Sequence, residues 1–123
     1  MKMVLDDASG LNLISACDAE QVKIRGRQHP TPLLVLPRAI EAEWPAANIE
    51  ALDSRALRGV AAHKPELLIL GTGSRQQFPE PRVFIPLMDA GIGYEVMDNM
   101  AACRTYNILL SEGREVALLL LGD

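Results

Sequence analysis

The first third of the chain has the short alternating patterns that predict β-strands. Polar and apolar residues alternate over residues 21–25, as expected of a strand with one buried face. A weaker alternation over residues 11–15 precedes it, so we predict that the two segments form a hairpin that ends at Gly26. The apolar run 33–36 is a further predicted strand, and the prolines on both sides of it favour the edge or the end of a sheet.

From about residue 50 the pattern changes to an alternation of helices and strands. The first predicted helix begins at a cap, Asp53 or Ser54, and is stopped by Pro65. The second covers residues 81–90. The third covers residues 101–110 and follows a cap at Asp98 or Asn99. The predicted strands cover residues 66–70, 92–97 and 115–121. Helices and strands that alternate at these lengths form βαβ units with parallel strands. We therefore expect an α/β domain that carries the N-terminal strands as an antiparallel appendage.

The composition is that of one globular domain. The chain has 123 residues, of which 49% are apolar and 23% charged, so it can bury a core without a metal or a disulfide. Twelve basic and sixteen acidic residues give a net charge of −4 without a basic cluster, which argues against binding to nucleic-acid phosphates. We expect a single domain over residues 1–123 that binds no nucleic acid.

The sequence predicts a cytoplasmic protein that does not insert into a membrane. Asp6 and Asp7 stand where the apolar stretch of a secretory signal would begin, so no signal peptide is expected. The longest apolar run, residues 116–121, is much shorter than the roughly 20 residues that are needed to cross a bilayer.

The chain has two cysteines, Cys17 and Cys103, and two histidines, His29 and His63. Their spacing matches neither a Cys-x-x-Cys motif nor a zinc site, so no metal and no cofactor are expected. In a reducing compartment the two cysteines are expected to be free thiols. Their even number leaves a functional disulfide or a redox pair open as the alternative.

The turn after the strand 66–70 is the first candidate for a ligand site. Gly71, Thr72 and Gly73 follow the end of a buried strand, where backbone amides of α/β proteins often hold an anion. Gln76 stands where a dinucleotide-binding motif has its third glycine, and no Gly-Lys-Ser/Thr of a phosphate loop follows. Two interpretations remain: a glycine turn that lets the chain leave the strand, or an anion or polar-ligand site with Arg75 nearby.

Three polar residues share one face of the third predicted helix. Asn99, Cys103 and Asn107 lie four residues apart, which places them above one another on a helix. A thiol nucleophile would need a histidine, but no local pattern brings His29 or His63 to this helix, so no catalytic residue is predicted. The helix either packs its small residues on the sheet, with Asn99 as its cap and Asn107 bonded to a loop, or it lines a polar site.

Three segments of the C-terminal half resemble one known family in content and order. They are residues 66–73 (ELLILGTG), 91–98 (GIGYEVMD) and 101–109 (AACRTYNIL). In these segments the chain is similar to the Mth938-like domain family, which includes mitochondrial complex I assembly factor 3, the adipogenesis-associated Mth938-domain protein and many small prokaryotic proteins. The similarity is strong over residues 50–121. In the N-terminal third of the chain it is limited to the layout of the strands.

The resemblance implies a small three-layer α/β domain with a mixed central sheet and an N-terminal β-hairpin appendage. It also implies an assembly-factor-like module with a protein partner. Apart from the resemblance, association of the chain with itself as a homo-oligomer is left open. We do not carry over the mitochondrial location, because the N-terminus has no Arg-rich import signal. The motif positions that match the family have no established chemical role; they are Gly71, Thr72, Gly73, Ala102, Thr105 and Asn107.

The sequence favours one function and leaves a second open. The favoured function is a non-enzymatic binding or assembly module, which assists a respiratory or other membrane-associated complex. The alternative is a domain that binds a small molecule or an anion between the glycine turn and the third helix, with or without enzymatic activity. The residues predicted to bind that ligand are Gly71, Thr72, Gly73, Arg75, Asn99, Cys103, Thr105 and Asn107.

Overall fold

The computed structural model describes residues 10–123, so the expectation drawn from Asp6 and Asp7 lies outside the described residues. The N-terminal strands are β1 (Ile14–Cys17), β2 (Gln21–Ile24), β3 (Arg27–Pro30), β4 (Leu33–Leu36) and β5 (Ala39–Ala42). The elements that follow are α1 (Ser54–Ala61), β6 (Leu67–Gly71), α2 (Ile85–Asp89), β7 (Gly93–Met97), α3 (Asn99–Ser111) and β8 (Val116–Leu120). A 3-10 turn, Pro81–Phe84, leads directly into α2.

Five strands form the central sheet, in the order β5-β4-β8-β6-β7. β6 lies between β7 and β8 and pairs parallel with both of them. β4 pairs antiparallel with β8 on one side and with β5 on the other. The predicted βαβ units are therefore present, and the antiparallel strands β4 and β5 make the sheet mixed, as the family resemblance implied.

The central sheet is covered on both faces, which gives the domain three layers. α1 and α2 pack on one face, and the core there includes Leu34, Leu57, Leu70, Leu87 and Leu119. α3 and the N-terminal strands pack on the other face, and the core there includes Ile14, Val22, Leu33, Ile69, Tyr106 and Leu118. Successive side chains of a strand point to opposite faces, so β8 contributes to both cores and all five of its residues are buried.

The N-terminal appendage is a three-stranded antiparallel sheet in the order β1-β2-β3. The predicted hairpin of β1 and β2 is confirmed, and it ends, as predicted, at the turn that contains Gly26. Arg25 and Gly26 both have positive φ angles, 53° and 81°, and they connect the paired residues Ile24 and Arg27 as a two-residue hairpin loop. The chain thus turns back at Gly26 into β3, a strand that the sequence pattern did not predict.

The prediction that residues 33–36 lie at the edge of a sheet is wrong. β4 is an interior strand, and all four of its residues are buried. Pro32 and Pro37 lie just outside the strand, so the missing proline N–H groups remove no hydrogen bond from its two ladders. The edge position belongs to β5, which the sequence pattern did not predict.

The first strand begins later than predicted because Asn12 has another role. Its side chain is buried, and Nδ2 donates to the carbonyl oxygens of Leu36, at 2.9 Å, and Ala39, at 3.2 Å. Residues 11–13 therefore anchor the turn between β4 and β5, and strand pairing in this part of the chain begins at Ile14.

Candidate functional site

The turn that follows β6 is a point of very close packing between β6 and α3. A Cβ atom at Gly71 would meet Oδ1 of Asn99, and it would lie 2.8 Å from Cδ2 of Leu120 and 3.3 Å from Cβ of Ala102. Gly73 has a φ angle of +100°, a conformation that side chains rarely adopt. Both glycines are therefore required by the packing and by the backbone conformation, whether or not a ligand binds beside them.

Thr72 closes the turn through its own side chain. It is 2% exposed, and its Oγ1 donates to the carbonyl of Arg75 at 2.7 Å and accepts from the amide of Gln77 at 3.0 Å. The backbone amide of Thr72 donates to Met97 at the end of β7. The hydroxyl that the sequence assigned to a ligand is thus engaged in holding the loop onto the sheet.

Asn99 joins the carboxyl ends of the strands to the start of α3. Its Oδ1 accepts from the amide of Gly73 at 2.9 Å, and its Nδ2 donates to the carbonyl of Leu121 at 2.8 Å. The interpretation of Asn99 as the helix cap is wrong, because Asp98 is the cap and its carboxylate accepts from the amide of Ala101. The buried Asn99 amide instead forms a clamp between the chain segments after β6 and β8.

A carboxylate of the chain occupies one backbone amide of this turn, that of Ser74, which an anion could otherwise use. Oδ1 of Asp123 accepts from the backbone amide of Ser74 at 2.7 Å and from the Ser74 hydroxyl at 2.9 Å. These hydrogen bonds lower the pKa of the Asp123 carboxyl, and the charge of Arg75 lowers it further. A polar cavity of about 270 Å³ lies here, lined by Thr72 and Arg75 among others.

Asn107 connects α3 to the N-terminal sheet. Its Oδ1 accepts from the amide of Ile14 at 2.9 Å and its Nδ2 donates to the carbonyl of the same residue at 2.8 Å. The predicted hydrogen bond from Asn107 is present, although its partner is a strand residue of β1 and not a loop. The side chain thus satisfies both backbone groups of a buried residue that lies 93 positions away.

The remaining predicted site residues of α3 lie on two sides of the helix. The Thr105 hydroxyl donates to Sδ of Met97 at 3.4 Å, beside β7. Cys103 faces β1, as Asn107 does. The eight predicted residues therefore divide into a group at the strand ends and a group at β1, and ligand binding by them stays a prediction.

The structure brings together the two cysteines, whose pairing the sequence left open as the alternative to free thiols. Sγ of Cys103 lies 2.6 Å from Sγ of Cys17, between α3 and β1. Cys103 is buried, whereas Cys17 is partly exposed. A cavity of about 210 Å³ opens beside the pair, and Met100 and Arg104 contribute to its walls. No spacing rule predicts this contact, because it depends on how the N-terminal sheet packs on the helix.

The hydroxyl of Tyr106 offers a test of the packing around α3. Tyr106 is fully buried, its hydroxyl has no hydrogen-bond partner among residues 10–123, and burial raises its pKa. We expect Tyr106→Phe to leave the free energy of unfolding unchanged or to raise it by about 1 kcal/mol, because an unpaired buried hydroxyl is costly. Urea denaturation measures this, with Tyr94→Phe at the partly exposed β7 as the control. A loss above about 1 kcal/mol would mean that the hydroxyl is paired after all.

A groove of about 780 Å³ lies between α1 and the segment that leads into α2. Its walls mix apolar and charged side chains; they include Leu52, Arg58, Ala61, Arg82, Val83, Pro86 and Asp89. Three large apolar side chains on this segment are exposed, Phe78 (73%), Ile85 (47%) and Met88 (52%), and Ile85 lines the groove. Exposed apolar side chains surrounded by charges are typical of protein-interaction surfaces.

The sequence predicts neither a metal site nor a membrane-spanning helix. Within residues 10–123, no three His, Cys, Asp or Glu side chains converge in a way that would hold a metal ion. In the same range, every helix is too short or too polar to cross a membrane.

Comparison with curated proteins relates the chain to a named assembly factor. The chain is 29% identical over 117 residues to NADH dehydrogenase (ubiquinone) 1 alpha subcomplex assembly factor 3 of Xenopus tropicalis. That alignment covers 94% of this chain and 63% of the frog protein, so the chain spans less than two thirds of this relative's length.

Two solved bacterial structures are similar to this chain over nearly its whole length. The crystal structure of a Bordetella parapertussis protein has a TM-score of 0.85 and 35% identity, and covers 94% of this chain and 99% of that chain. The solution structure of a Bordetella pertussis protein, described as a Mth938-like domain, has a TM-score of 0.77 and 30% identity. It covers 100% of this chain and 94% of that chain.

The family match extends beyond the segments that carried the resemblance in sequence. A family model described as a protein of unknown function (DUF498/DUF598) matches residues 14–121. The match begins at β1 and ends just after β8, so it includes the N-terminal sheet as well as the βαβ units. The chain therefore belongs to the DUF498/DUF598 family of Mth938-like domains.

Proposed function

We propose that the chain is a non-enzymatic binding module of the assembly-factor type, which holds a partner protein while a larger complex is put together. The observation that carries this proposal is the similarity, over 94% of the chain, to a relative named as an assembly factor. Because that relative's name refers to NADH dehydrogenase, a respiratory or other membrane-associated complex is the kind of assembly that we propose for the partner.

The use of the polar side chains supports a binding module over a catalyst. Thr72, Asn99 and Asn107 have the residue types of a polar active site, but each is hydrogen-bonded to the backbone of this chain. Groups that are engaged in this way are not available to bind a substrate without breaking the contacts between α3, β1 and the strand ends. Their arrangement supports a structural role, in which they join α3 to β1 and to the strand ends.

The groove between α1 and α2 is the surface that we assign to the partner. Ile85 leaves apolar area exposed there, and Phe78 and Met88 are exposed on the same chain segment outside the groove. Fully burying a large apolar side chain contributes up to about 1.5–3 kcal/mol. The ion pair between Arg82 and Glu80 beside the groove is exposed, so rearranging it on binding costs little. The surface suits a partner segment with an apolar anchor and charged flanking residues.

A charged substitution in the groove tests this assignment. We expect Ile85→Asp to abolish recovery of a stoichiometric protein partner, because a carboxylate would have to be desolvated at the contact. The chain is purified gently from its own source cells, and native mass spectrometry measures which proteins remain bound to it and in what ratio.

Ile108→Asp is the matched control, since Ile108 is 60% exposed on α3 and lies outside the groove. The control is expected to retain the partner, and both variants are expected to keep the melting temperature of the unaltered chain. Recovery of the unaltered chain alone would contradict the assembly function. Equal loss of the partner from both variants would contradict the choice of surface.

A second proposed function is the binding of a small molecule or an anion, with or without catalysis. The observation that favours it is the polar cavity of about 270 Å³ beside the glycine turn, where Arg75 supplies a positive charge. The Asp123 carboxylate competes for the Ser74 amide there. In the same native spectra, a small adduct that is lost from Arg75→Ala would favour this function over the assembly function.

A further inference from the structure

Cys17 and Cys103 lie within reach of a covalent bond. Their sulfur atoms are 2.6 Å apart, and a disulfide requires about 2.05 Å. One cysteine lies at the end of β1 and the other lies in α3, next to the backbone contacts that Asn107 makes with β1. The two elements are therefore already held in place, and bond formation needs only a side-chain adjustment.

The two thiols differ in access and in reactivity. Cys17 is partly exposed and borders the cavity of about 210 Å³, whereas Cys103 is 4% exposed. The hydrogen bond that the Cys103 thiol donates lowers the pKa of Cys17, although burial and the charges of Asp18 and Asp98 act in the opposite direction. The same hydrogen bond, together with burial, raises the pKa of Cys103. Cys17 is thus the thiol that ionises first and can be reached from solvent.

We propose that Cys17 and Cys103 form a redox-active dithiol site, whose substrates are low-molecular-weight disulfides that react at Cys17 and are displaced by Cys103. The cavity beside the pair admits one arm of such a disulfide. Arg104, exposed at the wall of this cavity, provides a cation for the carboxylates that cellular thiols of this class carry.

The exchange has two steps, and its atoms and electrons balance. First, the Cys17 thiolate attacks one sulfur of the small disulfide; the new sulfur–sulfur bond forms at Cys17 and the first small thiolate leaves with the proton that Cys17 lost. Next, the Cys103 sulfur attacks Cys17, which releases the second small thiol and transfers the Cys103 proton to it. Two protein thiols are oxidised to a disulfide, and one small disulfide is reduced to two thiols.

The charge on Cys17 opposes ionisation of Cys103 only in the reduced state. Once Cys17 carries the small thiol it is neutral, so this electrostatic opposition is removed and Cys103 becomes the resolving group. The product bond ties β1 to α3 and closes a loop of most of the chain. Closing so long a loop restricts the unfolded state strongly, so the oxidised form is expected to melt about 10 °C higher than the reduced form.

The experiment equilibrates the full chain with oxidised and reduced glutathione and follows mass, free thiols and melting temperature. We expect the oxidised chain to lose two hydrogens in mass, to lose both alkylatable thiols, to stay monomeric on a non-reducing gel, and to return to its starting state with excess reduced glutathione. Two alkylatable thiols that persist in oxidised glutathione would overturn the proposal, as would an intermolecular disulfide as the main product.

Two variants assign the roles of the cysteines. Cys103→Ser is expected to accumulate one glutathione at Cys17, because the resolving thiol is absent, whereas Cys17→Ser is expected to remain unmodified because Cys103 is buried. A stable glutathione adduct at Cys17 in the unaltered chain would show that Cys103 does not resolve it, and this would overturn the proposal. If either variant fails to fold, the mass and thiol counts of the unaltered chain still decide the question.

Discussion

Gly71→Ala is expected to lower the free energy of unfolding by about 3 kcal/mol, at the upper end of the usual cost of overpacking. The added methyl group would meet Oδ1 of Asn99 and Cδ2 of Leu120, and neither can move away easily. The Asn99 amide is fixed by two hydrogen bonds, and Leu120 is fully buried in β8. Chemical denaturation followed by circular dichroism measures the change.

Gly93→Ala is the matched control for this prediction. Gly93 lies at the start of β7, and a Cβ atom there would make only an ordinary contact, 3.9 Å from Cβ of Leu67. We expect this variant to be unchanged or more stable by about 0.5 kcal/mol, because alanine restricts the unfolded chain. If both variants unfold at the same denaturant concentration, the close approach of α3 to β6 is not as the structure has it.

Asn99→Ala is expected to lower the free energy of unfolding by about 3 kcal/mol, because it leaves two buried backbone groups without a partner. These groups are the amide of Gly73 and the carbonyl of Leu121, and Asn99 itself is 1% exposed. The loss also uncouples the chain segments that follow β6 and β8. The same denaturation experiment measures the change.

Asn48→Ala separates this effect from the loss of an ordinary side-chain hydrogen bond. Oδ1 of Asn48 accepts from the amide of Ala51 in an exposed turn, so its replacement is expected to cost less than about 1 kcal/mol. The pair of variants also bears on function. If Asn99→Ala were as stable as the unaltered chain, the Asn99 amide would be free to serve a ligand, and the second proposed function would gain support.

The C-terminal half of the fold could be predicted because local pattern and global fold agree there. Residues 67–70 and 116–121 are continuous apolar runs, and the structure makes them interior strands, β6 and β8, that pair parallel with each other. Asp53 and Asp98 are typical N-caps, and each accepts the hydrogen bond expected of a cap. Parallel strands need crossover helices, so these segments leave few alternative topologies.

The N-terminal third was harder to predict because its pairing partners are distant in sequence. β4 pairs with β8, more than 80 residues away, and this pairing makes β4 an interior strand in spite of the prolines beside it. β3 has no aliphatic residue, and β5 is a four-residue strand, Ala-Ile-Glu-Ala, so neither strand has the alternation of polar and apolar residues that predicts a strand. Their positions follow from turns and neighbouring strands and not from their own composition.

The sequence could place the polar residues of α3 on the helix but could not predict their hydrogen-bond partners. The spacing of Asn99, Cys103 and Asn107 placed them correctly on one face of a helix. Whether an amide on that face meets a backbone group or a ligand depends on the elements that pack against it, and a local pattern contains no information on these. The contact between the two cysteines could not be predicted for the same reason, because β1 brings Cys17 to α3 from 86 positions away in the sequence.

Site-specific photocrosslinking in the source cells tests most directly whether the α1–α2 groove holds a partner protein. A photoreactive amino acid is placed at position 85, which lines the groove, or, as the control, at position 108, which does not. Ile85 and Ile108 are the same residue type and are both exposed, at 47% and 60%. We predict a discrete crosslinked product of this chain with one other polypeptide from position 85 and none from position 108. No product at position 85, or equal products from both positions, would contradict the proposed function.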